Sequence, residues 1–568
     1  MTSRQRWTLV CTVIGSGAVF LDGTIVNAAL KHIGQDLPGT IFGVLEGQAY
    51  IVGGYLAVLA ALLILAGALS DHYGRRRVYA IGLVGFAATS ALCGLAPSLE
   101  ALVVFRLAQG AAGALLIPGS LALITHAFDG VARARAFGIW AASTSALVVL
   151  GPIVGGSMVD TVGWRVAFLI NVPLLAFALW ATLRYVQESR DEETTGRFDW
   201  LGAIVAALAV GGLAFGLIRG QANAWADSAA WIAIVIGLVC LIAFPVLMAR
   251  RPNPLVPLEL FRSRAFTAVN LATFFVYGGL YVTFFYQAVI LQGVLGYTAL
   301  GAGVTGLPTG IMLALLSTRI GTLSGRMGAR RFLVTGPLLM ALGLLWLARL
   351  PVDSAAWPAA IESPSTLIPP IDVFIDILPY SLLFGLGISL VVAPLTSTLM
   401  GSISGRFSGL GSAINNAISR VGQPLLGALI FIAISATYYA SLAASTGLDT
   451  TDPGIRKAFQ PLNPPAAGAT AAQTAASDQA SIEAFHLAML VCAGLLVVGA
   501  LVSWFGLRER APEPATETVT APQPPATETV TAPQPPATET VTAPQPPATE
   551  PATATGSATA PEPPAPSI

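Results

Sequence analysis

Fourteen long apolar stretches run through this chain, and they decide what it can fold into. The hydrocarbon core of a bilayer takes roughly 20 consecutive apolar residues per helical crossing. Stretches of that kind fall at about 7–30, 48–70, 78–97, 101–127, 135–159, 164–186, 200–219, 229–249, 265–293, 299–323, 330–350, 373–400, 407–440 and 482–507. Lipid offers no hydrogen-bond partners, so segments of this kind must satisfy their own backbone, as helices do. Composition agrees: 10% of residues are charged and 55% hydrophobic, where a soluble domain carries roughly 25% charge. A secreted, fibrous or nucleic-acid-binding protein is excluded. The first stretch is too long for a signal-peptide core and no small-x-small cleavage site follows it. It reads as a retained helix.

The formal net charge is zero, but it is unevenly placed. Residues 511–568 hold six Glu and no Lys or Arg, which leaves 23 acidic against 29 basic groups in the rest. Of those 29, 20 lie in loops on the side shared with the N-terminus and six on the opposite side. The other three, Arg106, Arg319 and Arg420, lie within spans. Basic loops stay on the cytoplasmic side. Both termini are therefore expected in the cytoplasm of a plasma (bacterial inner) membrane, in keeping with an even number of spans.

Two regions fall outside the membrane. Residues 440–481 read as a long outer loop rich in Ala, Pro, Thr and Gln. The tail repeats PATETVTAPQP from Pro514, Pro525 and Pro536 and holds 16 Pro in 58 residues without an aromatic. Such a segment buries too little apolar surface to fold, and it reads as a disordered cytoplasmic spacer of polyproline character. Cys11, Cys93, Cys240 and Cys492 sit in separate apolar stretches, and the four His are as scattered. No metal site has ligand spacing, and no cofactor is expected.

The loops carry a repeat. Residues 67–77 read GALSDHYGRRR and residues 321–331 read GTLSGRMGARR, matching at six of eleven positions at an offset of 254. Pro152-x-x-Gly155 in the fifth span is echoed by Pro424-x-x-Gly427 in the thirteenth. Spans 1–6 and 9–14 are thus two copies of one unit, with spans 7 and 8 as an insertion. Duplicated bundles around a central cavity are the plan of secondary transporters. The expected organisation is a six-helix bundle over 1–190, a two-helix linker over 191–260, a second six-helix bundle over 261–510 and the tail from 511.

Here the motifs carry a resemblance. GALSDHYGRR after the second span, Arg106-x-x-Gln109-Gly110 in the fourth and Gly151-Pro152-x-x-Gly155-Gly156 in the fifth resemble signatures of the major facilitator superfamily. LDGTIVNAAL at 21–30, WRVAFLINVP at 164–173, RFDWLG at 197–202 and GLGSAINNAISRVG at 409–422 are similar to those of its 14-helix drug–proton antiporter family. Two departures stand out: Lys31 replaces the usual Pro after the first of these, and the second loop has Gly325 where the first has Asp71. The resemblance implies an all-α polytopic fold of 6+2+6 helices and proton-coupled export of hydrophobic or amphipathic small molecules such as drugs. It implies no enzymatic activity.

Asp22 is the only carboxylate deep in the first span. An ionisable group in the bilayer is costly, so it should face a cavity and bind and release a proton. The resemblance ties this position to proton or cation binding, and gives Arg106 a proton-transfer role beside it. Gln109 follows Arg106 by one turn and joins the expected substrate cavity. Gly67, Asp71, Gly74, Arg75 and Arg76 form a cytoplasmic cluster read as a conformational latch, with Asp71 paired to an Arg of the 130–135 loop or set at a helix N-terminus. Gly151, Pro152, Gly155 and Gly156 carry no reactive group. Their small size and missing donor permit close packing and bending, and in the resembled family this motif accompanies antiport.

Phe274, Tyr277, Tyr281 and Phe285 follow steps of 3, 4 and 4 in the ninth span, one face that suits an aromatic cavity wall or plain packing. Asn415, Asn416 and Arg420 in the thirteenth should face protein or cavity. The expected partners are a small hydrophobic or amphipathic substrate, protons and lipid, with no nucleic acid, and the chain is expected to be a monomer. Two other readings are an exporter of an endogenous lipid or secondary metabolite, and a membrane receptor that transports nothing.

Overall fold

In the computed structural model, which describes residues 1–128, 130–189, 199–403 and 408–507, every regular element is a helix. Eight precede the loop at residue 223: α1 Ser3–Asp36, α2 Val44–Tyr73, α3 Arg75–Gly94, α4 Leu99–Ala127, α5 Gly130–Thr161, α6 Trp164–Leu169, α7 Asn171–Tyr185 and α8 Trp200–Ala222. Then come α9 Ser228–Arg250, α10 Arg264–Gly293, α11 Ala299–Val304, α12 Leu307–Met327, α13 Ala329–Leu347, α14 Leu378–Gly401, α15 Ser408–Thr446, α16 Pro453–Ala458 and α17 Ala471–Gly506. Thirteen helical segments among the described residues are long and apolar enough to cross a membrane. The 32 residues of α5, which is not among those thirteen, cover the fifth expected span, 135–159. The tail from 511, with its expected lack of structure, lies outside the described residues.

Three expected spans are interrupted. The stretch 164–186 breaks between α6 and α7, where Pro173 has no N–H to offer the Leu169 carbonyl. The stretch 299–323 breaks between α11 and α12, with Pro308 in the first turn of α12. The stretch 373–400 begins with one π-helical turn, Val373–Ile377. The loop expected at 440–481 is shorter than it reads. Helix α15 runs on to Thr446, and α17 begins at Ala471 behind a capping box of Thr470 and Gln473. Ala-rich sequence favours helix, and a capping box needs no apolar signal, so hydropathy misses both ends.

Packing sorts the helices into two groups. α1 packs on α4, α5 and α7, α2 on α4, and α3 on α4 and α7. In the second group α10 packs on α15 and α17, α12 on α14, and α13 on α14 and α17. α8 and α9 form a tight pair, with Gly212 and Gly216 of α8 against α9: a Cβ on Gly216 would lie 2.7 Å from the Ala230 carbonyl oxygen. The pair's inner member, α8, leans on α2 and α15.

The internal repeat is visible in the backbone. Gly74 (φ +104°) separates α2 from α3, and Gly328 (φ +88°), 254 residues on, separates α12 from α13. Positive φ costs any other L-residue roughly 1–2 kcal/mol. The two sites differ in one respect. A Cβ on Gly74 would also lie 2.7 Å from the Glu188 carboxylate, whereas one on Gly328 would meet nothing within 4 Å. Glu188 accepts from the Arg76 and Arg77 amides at 3.0 and 3.2 Å, satisfying free donors at the start of α3. Gly74→Ala is therefore expected to lower the thermal midpoint of the purified protein more than Gly328→Ala. Equal shifts would show that Glu188 contributes nothing to that turn.

Candidate functional site

About three-fifths of the way along the 34-residue α1, Asp22 is enclosed by the first group of helices. It is 1% exposed, as is Arg106 on α4. Arg106 Nη1 donates to Asp22 Oδ2 at 2.5 Å and to Gln109 Oε1 at 2.7 Å. Gln109 Nε2 and Asn171 Nδ2 both donate to Asp22 Oδ1, at 3.1 and 3.2 Å. Arg106 Nε donates to the Ile51 carbonyl at 3.1 Å, and the guanidinium lies over the Tyr55 ring, 4.0 Å from its centroid. Asn171 also reaches Ser90 Oγ at 3.0 Å, and Ser90 donates to the Phe168 carbonyl at 2.8 Å.

Every charge in this cluster is paired and hydrogen-bonded, as burial of ions in low dielectric requires. The geometry also corrects an expectation. Asp22 does not face a cavity; it is closed within its own group by α4 and α7. A short side chain on α1 reaches α4 through the long Arg106, so the pair forms inside one bundle.

Arg106 uses its planar fork for three polar contacts and its face for a fourth, on Tyr55. Lysine keeps the charge but offers neither the plane nor the Nε donor. Arg106→Lys is expected to cut transport at least about tenfold, the loss of one charge-assisted hydrogen bond being worth about 1.5–3 kcal/mol. Wild-type transport by the variant in membrane vesicles, at matched abundance, would reduce Arg106 to a space-filling role.

The glycine motif of α5 lies against two neighbours. A Cβ on Gly151 would overlap Thr24 of α1, and one on Gly155 would lie 2.9 Å from the Ile25 side chain. Gly156 instead meets the second group: its Cβ would lie 2.5 Å from the Ala299 carbonyl oxygen and 2.6 Å from Leu300 Cα. The Pro152 carbonyl abuts Gly303 in the same way. One turn on, Asp160 accepts from the Ala299 and Leu300 amides at 3.1 and 2.8 Å, capping α11. The loop before α17 adds a second tie, since Gln460 Oε1 accepts from the Val44 amide at 2.5 Å and Asn463 bonds Gln48 at 3.3 Å. The described hydrogen bonds between the two groups thus cluster at the end opposite the N-terminus.

Other expected residues scatter. The Asp71 side chain lies outside the described residues. Gly67 faces Pro118 of α4, and Arg75 and Arg76 open α3, where the Arg76 guanidinium donates to the Leu183 carbonyl at 2.6 Å. Asn415 is tied to Asn270 and Thr273 of α10 at 3.0 and 2.9 Å, and Asn416 bonds back to the Ser412 carbonyl, so both spend amide donors on protein. Arg420 reaches from α15 over the Phe20 ring of α1 at 5.5 Å, with its Nε unpartnered. The aromatic row on α10 keeps one face but not one neighbour. The Phe274 ring lies 5.3 Å from that of Phe275, the Tyr277 and Tyr281 rings lie 6.3 Å apart, and Phe285 lines a lateral cavity. At about 1.5 Å per residue a 30-residue helix passes several neighbours.

Asn171, Ser90, Tyr55 and Asp160 escape the sequence reading. Asn171 had a signal, as the lone amide in the 164–186 stretch. Asp160 is the first acid after the glycine motif. Tyr55 is one of twelve tyrosines and has no distinguishing context.

Comparison with known proteins adds the lineage. A profile of the Major Facilitator Superfamily matches residues 12–427. The chain belongs to that superfamily. Over 354 residues it is 38% identical to the multidrug resistance protein Stp of Mycobacterium tuberculosis, an alignment covering 61% of this chain and 64% of the relative. It is 36% identical to the tetracenomycin C resistance and export protein of Streptomyces glaucescens, covering 61% and 64%. The puromycin resistance protein of Streptomyces alboniger aligns over 525 residues at 28% identity, covering 91% and 94%. The chain thus spans just under two thirds of the first two relatives and nearly all of the third. Among solved structures, a bacterial homologue of the lysosomal transporter Spinster superposes with a TM-score of 0.59 at 18% identity, covering 89% of this chain and 97% of that one. That likeness concerns the major-facilitator fold alone.

Proposed function

We propose that this superfamily member is a proton-coupled antiporter that exports hydrophobic or amphipathic small molecules by alternating access. The single observation that carries the reading is the buried Asp22–Arg106–Gln109–Asn171 cluster. Protonation of Asp22 cancels its attraction for Arg106, so the guanidinium must find other partners and α1, α4 and α7 must repack. A buried pair of this kind is a two-state element that a proton can bias. The glycine motif of α5 and the Asp160 cap are the surfaces that would part when the two groups rock. Gly67, Asp71, Gly74, Arg75 and Arg76 are assigned the latch at the opposite end.

The names borne by the relatives, resistance to several unrelated compounds, support a drug-like and tolerant substrate range. The loop charges support a plasma-membrane location with both termini in the cytoplasm. With the ties between groups at the far end, the conformation is assigned to the inward-facing state. The protein is taken to act as a monomer. The test is reconstitution in liposomes with an imposed pH gradient. Substrate added to the vesicles should release internal protons at a fixed ratio to substrate moved. Substrate movement that ignores the gradient would overturn the coupling, and binding without movement would favour a receptor. The relative named for tetracenomycin export keeps a secondary-metabolite exporter as the second reading; a resistance panel set beside metabolite accumulation in a pump-deficient host separates the two.

A further inference from the structure

An apolar cavity lies away from Asp22, on an adjoining face of α2. Ile51 and Tyr55 of that helix serve Arg106, whereas Tyr50, Gly53, Gly54, Ala57 and Val58 turn to an apolar cavity of about 560 Å³. Its remaining walls come from Ile41 and Phe42 ahead of α2 and from α4, α8, α10 and α15, so α8 builds one side of it. It reaches the flank of the molecule at Val104, which lines it and is 60% exposed. Cavities of roughly 300–1,000 Å³ suit small ligands.

The polar groups at its edge discriminate. Glu100 is engaged by the Thr40 and Ile41 amides, both at 2.7 Å. The Tyr50 hydroxyl donates to Glu46 and the Phe215 carbonyl, at 3.2 and 3.0 Å. Gln423 of α15 is different. It lines the cavity, is 4% exposed, and its Oε1 has no partner. A buried acceptor left open costs about 1–3 kcal/mol, which a ligand donor would recover. Apart from Tyr50, Glu100, Tyr286 and Gln423, the lining is apolar, which favours a neutral ligand.

We propose that this cavity binds a neutral bilayer-dissolved amphiphile, a single apolar chain ending in one hydrogen-bond donor, with its hydroxyl or N–H on Gln423 Oε1. The ligand enters from the lipid beside Val104. Seated there it bridges α2 and α15, one helix from each group, so its fit changes whenever the groups shift. The site is distinct from the Asp22 cluster, and its binding is read without any transport assay.

The test uses a mid-chain photoactivatable hexadecanol and its methyl ether, on the full-length protein in nanodiscs, with labelled peptides mapped by mass spectrometry. The alcohol should label α2, α8 and α15 around the cavity at least about fivefold more than the ether, since the ether cannot donate. Gln423→Leu should abolish that preference. Gly211→Phe should remove the labelling altogether, because a Cβ on Gly211, which lines the cavity, meets nothing within 4 Å and leaves room for the ring to fill the site. Equal labelling by alcohol and ether in the wild type would overturn the proposal without reference to any variant. So would labelling spread along the lipid-facing helix α9, or labelling that survives Gly211→Phe in a variant with an unchanged thermal midpoint.

Discussion

Asp22→Asn is expected to abolish proton-coupled export, with a loss on the order of 100-fold or more, the scale for removing a proton-transfer group. It will also weaken the fold. Arg106 would keep a neutral acceptor in place of its counter-charge, and breaking a buried ion pair costs about 3–5 kcal/mol. Asn171 and Gln109 both point amide donors at Asp22 Oδ1, so an Asn amide turned that way would meet like groups. The double variant Asp22→Asn/Arg106→Gln separates the two effects. With both charges removed, stability should recover most of what the single variant loses, while proton exchange stays absent. Thermal midpoints and substrate-driven proton release in liposomes are the two readouts. Proton-coupled transport by the double variant would show that the cluster is architectural.

The second large effect is expected at Gly156. Its Cβ would approach backbone atoms of α11 to 2.5–2.6 Å, and backbone cannot swing aside as a side chain can. Gly156→Ala should therefore hold α5 away from α11 and strip the Asp160 cap from the Ala299 and Leu300 amides. A penalty of about 5.5 kcal/mol would invert a 99:1 population. Transport should fall to background, and cysteine pairs placed across α5 and α11 should stop cross-linking. Gly494→Ala on α17, whose Cβ would meet nothing within 4 Å, is the control and should be silent. Normal cross-linking in Gly156→Ala would mean that this contact is not the gate.

The membrane-spanning character and the paired breaks at Gly74 and Gly328 were legible in the chain because both rest on local chemistry. Apolar length marks a crossing wherever it occurs, and Gly74 and Gly328 mark equivalent breaks because only glycine adopts positive φ cheaply. The glycine motif was legible as a close contact, since a missing side chain has one physical use in a helix. Its partner was not: Gly151 and Gly155 meet α1, while Gly156 meets the other group of helices, and nothing in the motif distinguishes them.

Asp22 and Arg106 could be singled out in sequence because an ion in a bilayer is too costly to be incidental. That they pair within one bundle, and that Asn171, Ser90 and Tyr55 complete the network, depends on how α1, α2, α3, α4 and α7 are rotated against one another. For Asn415 the sequence left protein and cavity both open, and packing ties it to Asn270 and Thr273. Within this cluster, residues as far as 149 positions apart, Asp22 and Asn171, share a hydrogen bond only after the bundle closes. The sequence by itself determined the medium the chain lives in and which polar residues had to find partners, because those follow from transfer energies paid one residue at a time. Which partners they found, and which face of α2 meets Arg106 and which a lipid-side cavity, only the tertiary structure decided, because helix rotation and contact are set by packing between distant segments.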